Sequence, residues 1–392
     1  MIRIEMNSNF YDIIIVGSGP AGLTAAKIAA ENAKSVLVLE RNEECAKKIY
    51  ATGGGRCNFM NKKMDGAADL LAYCNGIGII ETEEEEGRLY PRSLQASSVA
   101  NILNFAAKKA GAEIVTGALV SDISKKGEAF EVAVQINGQA FAVQSKQLLI
   151  ATGGKAGIQY GCYGDGYKWA QSFGHRIVKP IPALTGLECA EDISLLHGVR
   201  IRAKAALLCS AADKGNAADR GVLLAEDAGE VQFTRDGISG ICVMNLSRYL
   251  RFEEGKYFTL CLDLYPEYMP EELLELFMRQ KQLAGCAMEG LVPEKMHDYL
   301  HTRIKPSEHG PAGMAALSKA LNFTVTGSKG WKQAQVTCGG VALDEVTENY
   351  GSKLVPGLFF AGEVLDYDGP CGGYNIGFAI KSGKLAGEAM SR

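Results

Sequence analysis

Gly17-Ser18-Gly19-Pro20-Ala21-Gly22 has G-x-G-x-x-G spacing, with the β-branched run Asp12 to Val16 before it and the Ala-rich stretch Leu23 to Ala33 after it. Between a strand and a helix, this pattern binds a pyrophosphate. Gly17 allows the tight turn, Gly19 lets the backbone approach the phosphates, and Gly22 lets helix and strand pack closely. The phosphates then sit at a helix N-terminus, where free N–H groups and the helix dipole favour negative charge. Glu40 closes the next apolar run, SVLVLE, where a carboxylate accepts ribose hydroxyls. A plain strand-turn-helix connection accounts for the glycines alone; the placement of Glu40 argues for a nucleotide.

Two further clusters carry ligand chemistry. Thr52-Gly53-Gly54-Gly55-Arg56-Cys57-Asn58 holds three consecutive glycines, which are costly inside regular elements and point to a close ligand approach or a surface loop. Arg56 and Asn58 suit a phosphate or a heterocycle edge. Near the other end, GLFFAGE (357–363) reads as a strand ending at a carboxylate, and DGPCGGYNIG (368–377) as a glycine-rich loop entering a helix. This second site lacks G-x-G-x-x-G spacing, so one long ligand touched by both regions explains the pair better than two nucleotides. FAD has that length, with ADP at the first loop and ribityl and flavin at the second.

The elements that must position these groups follow from periodicity. Val99, Ile102, Leu103 and Ala106 mark a one-faced helix that stops at Gly111, followed by a strand near 113–116. Phe130 to Ile136 alternates, turns at Asn137-Gly138 and returns through Phe141 and Val143 to Leu148–Ile150, a β-meander. Past about Pro182, Val199 to Ala205 alternates with Arg200, Arg202 and Lys204, the wet face of a half-buried strand. Val222 to Ala225 and Glu230 to Thr234 read as two strands around a DAG turn, and Phe258 to Leu264 as another strand. Helical spacing runs from Pro270 to about Ile304, and a final helix from Ile376 to Met390. The acidic stretch Glu81 to Glu86 reads as a solvated loop.

Composition sets limits on the class. With 392 residues, 47% of them hydrophobic and 22% charged, the chain is long enough for two to three ordinary globular domains. Its 46 glycines, about 12%, exceed the usual 7% or so. A net charge of −4 supplies no basic field for nucleic acid or anionic membranes. Eleven cysteines without a CxxC pair disfavour a disulfide framework, a zinc ribbon, an Fe–S motif or a redox dithiol, and suit a reducing cytoplasm. The leading segment, MIRIEMNSNFYDIIIVGSG, has too short an apolar run for a signal peptide, and no stretch matches a membrane span. A cytoplasmic protein is expected. His297 and His301 share a helix face, a possible metal pair without a HExxH glutamate or an evident third ligand, so no metal is expected.

The strings GSGPAG, GGGRCN, ATGGK, GDGYKWAQSFGH, VTCGGVALDEV and GLFFAGEVLDYDGPCGGYNIGFA, in this order over most of the chain, resemble the BaiN/YhiN-like flavoproteins, also called aminoacetone-oxidase-family FAD-binding enzymes. The resemblance implies an α/β fold: a glutathione-reductase-like FAD-binding Rossmann domain (1–185 and 329–392), interrupted by a β-barrel-like insert domain (186–265 and 305–328) and a small helical subdomain (266–304). It implies that Gly17, Gly19, Pro20, Ala21, Gly22, Glu40 and Arg41 hold the ADP half of FAD, with Val120 also in the cofactor set. Gly54, Gly55, Arg56, Cys57 and Asn58 would line flavin or pyrophosphate, and Ala151, Thr152 and Gly153 would close over the cofactor. Gly362, Glu363, Gly373, Asn375 and Ile376 would hold ribityl and isoalloxazine. Met60, Cys338 and Gly377 depart from the family pattern, and glycine at 377 is expected to enlarge or reshape the substrate side.

A flavin performs the redox step, while protein groups position the substrate and supply protons. With one dinucleotide fingerprint, NAD(P)H as donor would dock transiently over the flavin or use a groove that the motifs do not mark. Some family members reduce conjugated C=C bonds in 3-oxo bile acids, which implies an FAD-dependent oxidoreductase acting on CH–CH donors, with a small-molecule substrate and no nucleic acid or membrane partner. Arg56, Tyr367 and Tyr374 are the candidates for polarising a carbonyl or donating a proton. Cys57, Cys338 and Cys371 are alternative redox thiols near the flavin. An oxygen-using amine or aminoacetone-type oxidase and a flavin-containing RNA-associated protein are the competing readings, the latter resting on the Arg200 to Lys204 stripe.

Overall fold

The computed structural model describes residues 6–211 and 221–392. The leading MIRIE of the segment read for a signal peptide lies outside them, as do residues 212–220 of the expected insert. The described chain divides into two compact units, residues 1–181 with 335–392, and residues 182–334.

The first unit is built on a seven-stranded sheet. Strand β1 (Phe10–Val16) lies between β2 (Val36–Leu39) and the long strand Gln139–Ile150, parallel to both. Leu358–Phe360 adds to the far end of that long strand, again in parallel. The antiparallel meander Ala118–Lys126, Ala129–Ile136 and Gln139–Ile150 extends the sheet, with Asn137 (φ +50°) and Gly138 (φ +79°) forming the expected tight turn. The apolar alternation of β1 sends Ile13 and Ile15 to one core with helix α1 (Pro20–Glu31) and helix Ala96–Lys109. Ile14 and Val16 enter a second core with the meander. Pro20 occupies the first turn of α1, where its missing N–H costs nothing.

The second unit contains a closed barrel of six strands, in the order 187–189, 237–239, 222–234, 200–211, 256–263 and 321–328. Ala203, Ala205 and Leu207 face its core while Arg200 and Arg202 face out. Three helices, Pro270–Ala284, Glu294–Arg303 and Pro311–Lys319, pack their apolar residues into the same core.

Three local readings are corrected. The DAG segment is no turn: Val222–Thr234 is one strand, in which Ala228 and Gly229 pair with Lys204 and Ala203. Asp227 stays tolerable there because Asn245 Nδ2 donates to it at 2.6 Å. Glu81–Glu84 is a strand paired with Arg88–Pro91, its charge offset by Arg56 at Glu84 and Lys62 at Glu83. Pro311–Lys319 is helical within the stretch expected to be β-rich. Among the described residues, no helix is long and apolar enough to cross a membrane.

Candidate functional site

Gly17 has φ +103°, and a Cβ there would lie 2.5 Å from Ala151 O. The loop can therefore turn only with glycine, and it turns directly against 151–153, which follow the strand Gln139–Ile150. Gly22 would place a Cβ 2.0 Å from Gly17 O, so it serves close helix–strand packing. Ala21 is buried against Gly362, whose Cβ would lie 3.0 Å from Ala21 Cβ. Gly383 and Gly387 of the C-terminal helix Tyr374–Met390 lie against the backbone of Ala21 and Ala25, so the two helices cross at backbone contact.

Contacts of this kind bring the glycine clusters together. Gly154 packs on Thr337 Oγ1 and Glu363 Oε1, and Gly373 packs on Met60 O and the Asn58 amide. At four positions, Gly19, Gly54, Gly55 and Gly153, a Cβ would meet no atom within 4 Å. Gly53, Gly54 and Gly55 all have positive φ, +56°, +66° and +87°. Arg56 Nε beside them is a buried donor with no acceptor among the described residues. Open glycine backbone at the start of α1, with further open glycines and an unsatisfied guanidinium nitrogen on adjoining loops, fits an elongated phosphate-bearing cofactor.

The polar candidates divide into those free to meet a ligand and those already committed to the protein. Glu40 Oε2 accepts from Ser18 N at 2.9 Å and Ser18 Oγ at 2.7 Å, and Oε1 accepts from Asn42 N and Nδ2, both at 2.8 Å. Its lone pairs brace the phosphate turn, and a ribose hydroxyl would have to displace one of these side chains. Arg41 pairs with Asp165 at 2.7 Å and lies over the Tyr163 ring. Arg56 is bound to Glu84 and stacks on Tyr90 at 4.5 Å. The Cys57 side chain is fully buried in the core, and burial pushes its thiol up to about 11, which leaves only its backbone for a cofactor. Val120 likewise buries its side chain in the meander core. The Asn58 amide donates to Met60 O at 2.9 Å and Leu89 O at 3.1 Å. Thr152 Oγ1 lies where a Cβ on Gly166 would stand.

In the C-terminal loop, Asn375 Oδ1 accepts from Gly369 N at 2.8 Å and its Nδ2 donates to Gly369 O at 2.9 Å. Asn375 is thus a clamp on the 369–373 loop, and Ile376 follows it half-buried. Asn375→Ala is expected to cost about 1–3 kcal/mol of stability and to lower flavin retention, measured by urea unfolding and flavin absorbance per chain. Tyr374 and Tyr367 both border Gly369, and Tyr367 also stacks on Phe378 at 3.8 Å. Gly377 does not enlarge the site: Met64 Sδ lies 2.5 Å from where its Cβ would stand, and Met60 Cγ 3.4 Å, so two methionines fill that space.

Two residues of the cluster had no signal in the sequence. Lys48 pairs with Glu363 at 2.6 Å across 315 positions. Burial pulls the Lys48 ammonium down, but the Glu363 charge and hydrogen bond outweigh it and leave the group above its ordinary value. Thr337 Oγ1 accepts from Lys155 N at 2.7 Å and Ala156 N at 2.9 Å, while Thr337 N donates to Glu363 Oε1 at 2.8 Å. Burial, reinforced by the Glu363 charge, raises the Tyr167 phenol and keeps it protonated.

This arrangement of strand, glycine turn, helix and returning C-terminal loop defines a Rossmann-type flavoprotein oxidoreductase. The chain matches the HI0933-like protein Rossmann domain over residues 11–72 and 64–389, and it belongs to that family, the BaiN/YhiN-like flavoproteins. It is 32% identical over 416 residues to the 3-dehydro-bile acid delta(4,6)-reductase of Clostridium scindens, covering 96% of this chain and 98% of that one. It is 28% identical over 424 residues to the ribosomal RNA dihydrouridine synthase of Haemophilus influenzae, covering 98% and 100%. Among solved structures, the 3-ketosteroid-delta4-(5alpha)-dehydrogenase of Rhodococcus jostii RHA1 shares the fold, with a TM-score of 0.53 and 14% identity over 100% of this chain and 98% of that one.

Proposed function

We propose that this flavoprotein reduces a C=C bond conjugated to a carbonyl in a small organic molecule, with NAD(P)H as transient donor. The observation that carries the reading is a chemistry common to both full-length relatives. A 3-dehydro-bile acid with 4,6 unsaturation is a conjugated enone, and dihydrouridine is uridine with hydrogen added across a double bond conjugated to a ring carbonyl. Bound FAD supplies hydride transfer. The open backbone at Gly19, Gly54, Gly55 and Gly153 would hold its phosphates and sugar chain, with Lys48 and Glu363 beside them.

The residues bordering Gly369 take the polar roles. Tyr374, half-buried at the start of the C-terminal helix, is assigned the role of donating its O–H to a carbonyl oxygen or to a carbon gaining a proton. Arg56 serves less well as a carbonyl partner because Glu84 already offsets its charge.

The ribosomal RNA in one relative's name bears against the expectation that no nucleic acid is bound. Charge favours the small molecule: on the strand 200–211, Arg200 pairs with Glu230 at 3.2 Å and Lys204 with Glu226 at 2.9 Å, so acidic partners on the neighbouring strand offset two of the three basic residues of the outward-facing stripe. The test is anaerobic reduction of the flavin by NADH and by NADPH, then reoxidation by a 3-oxo-4-ene steroid, a uridine-containing RNA or oxygen. The steroid enone is expected to reoxidise the flavin fastest. Reoxidation by RNA alone, or by oxygen alone with stoichiometric peroxide, would refute the reading.

A further inference from the structure

His297 and His301 lie one turn apart on the helix Glu294–Arg303, and the fold brings a third group to them. The preceding helix, Pro270–Ala284, ends at Gly285 with φ +78°, which turns the chain back; Gln280 Nε2 holds the turn by donating to Glu289 O at 2.6 Å. Cys286 Sγ is thereby set 3.1 Å from His297 Nε2. On the other side of the ring, His297 Nδ1 lies 3.3 Å from Asp298 Oδ1. His301 Nε2 also meets His297 Nε2, at 3.0 Å, and its ring borders that of His309. Cys286 and His301 thus both meet the Nε2 edge of the His297 ring, and Asp298 its Nδ1 edge. Among the described residues, no group of three such side chains encloses a metal position.

Cys286, His297 and Asp298 have the relation of a nucleophile, a base and an orienting carboxylate, with His301 beside the base. With the Nδ1 proton directed at Asp298, the Nε2 lone pair of His297 is open to a proton from the Cys286 sulfur at 3.1 Å, with His301 Nε2 as the second group on the same edge at 3.0 Å. Solvent reaches the set: Cys286 is half-buried, and the side chains of His297 and Asp298 are 26% and 55% exposed. Three thiols elsewhere are raised. Burial pushes the thiols of Cys74 up to about 12 and of Cys242 to about 11, and Cys189, about 11, is raised by burial and by Glu191.

We propose that Cys286, His297 and Asp298 form a thiol-modification site, built wholly from residues of the second unit, that takes small organic disulfides. His297 removes the Cys286 proton; the sulfur bonds to one sulfur of the disulfide, the S–S bond breaks, and the departing thiolate takes the proton back from His297. Cys286 is oxidised to a mixed disulfide and the other half of the reagent is reduced to a thiol. Exchange at sulfur needs no donor set for an oxygen anion, which is why a disulfide rather than an acyl group is the matching substrate class.

The test treats the flavin-loaded protein with glutathione disulfide and follows each cysteine by peptide mass spectrometry. Cys286 is expected to form the mixed disulfide at least ~10-fold faster than Cys45, Cys189, Cys209 or Cys261, and His297→Gln to slow it by at least ~10-fold, with flavin content and circular dichroism unchanged. Equal rates at Cys286 and the other half-buried cysteines in the unaltered protein would overturn the proposal without any variant. A His297→Gln protein that is folded and modified at the original rate would overturn it as well.

Discussion

Gly22→Ala is expected to yield little folded protein, whereas Gly19→Ala is expected to yield a folded protein that has lost its FAD. A methyl at position 22 would stand 2.0 Å from Gly17 O and 3.3 Å from Ile15 Cγ2, a collision with backbone that no rotamer relieves. Overpacking of this kind costs about 1–3 kcal/mol or more, and here it also forces apart the strand and helix that make the phosphate turn. A methyl at position 19 meets no protein atom within 4 Å, so its cost to the fold stays within about 0.5 kcal/mol. It fills the space through which the backbone would approach a pyrophosphate, and FAD content is expected to fall at least ~10-fold. Flavin absorbance per chain and urea unfolding separate the two effects. A Gly19→Ala protein that keeps its full flavin would sink the assignment of this turn to the cofactor.

Lys48→Met is expected to destabilise the protein by about 3 kcal/mol, because it strands Glu363, whose side chain is 18% exposed, without its cation. In Lys48→Met with Glu363→Gln the cost falls, since the glutamine oxygen still accepts from Thr337 N and no charge is left unpaired. Equal destabilisation of the single and double variants in guanidinium titrations would show that the pair is not coupled. The pH dependence has a definite sign. The folded-state value of Lys48 is raised, so its contribution is complete below the unfolded lysine value of about 10.4 and is lost only as pH climbs through the higher folded value. The stability gap between Lys48→Met and the original protein is therefore constant through neutral pH and closes in strong alkali.

The parts of this site that were legible in the sequence are those whose chemistry is local. The spacing of Gly17, Gly19 and Gly22 is local, as are the apolar run before them and the helix after them, although only Gly22 is constrained by near neighbours, Gly17 and Ile15, while the contact that requires glycine at 17 comes from Ala151. Thr337 and Lys48 answer to partners 182 and 315 positions away, and nothing around either residue marks it. The same distance explains the misreading of Glu81–Glu84. An acidic run looks solvated until Arg56 and Lys62 arrive from another part of the chain to offset it. Asn375 and Glu40, read in the sequence as cofactor contacts, also hold their own loops through side-chain hydrogen bonds, a use that their spacing does not announce. At Val222–Thr234 the DAG triplet carries a turn signal that is overridden by ladder pairing along the whole of the strand 200–211.

The crossing of α1 with the C-terminal helix has a consequence for synthesis. Gly383 and Gly387 seat on Ala21 and Ala25, and Gly362 on Ala21, so the helix behind the phosphate turn is packed by residues translated more than 330 codons later. A ribosome-bound chain that already carries the complete G-x-G-x-x-G segment still presents an unpacked face of α1 to solvent. That closure spans nearly the whole chain, a contact order that slows folding. The face of α1 behind the phosphate turn is therefore completed only once residues 362–387 have been made, and until then it stays open.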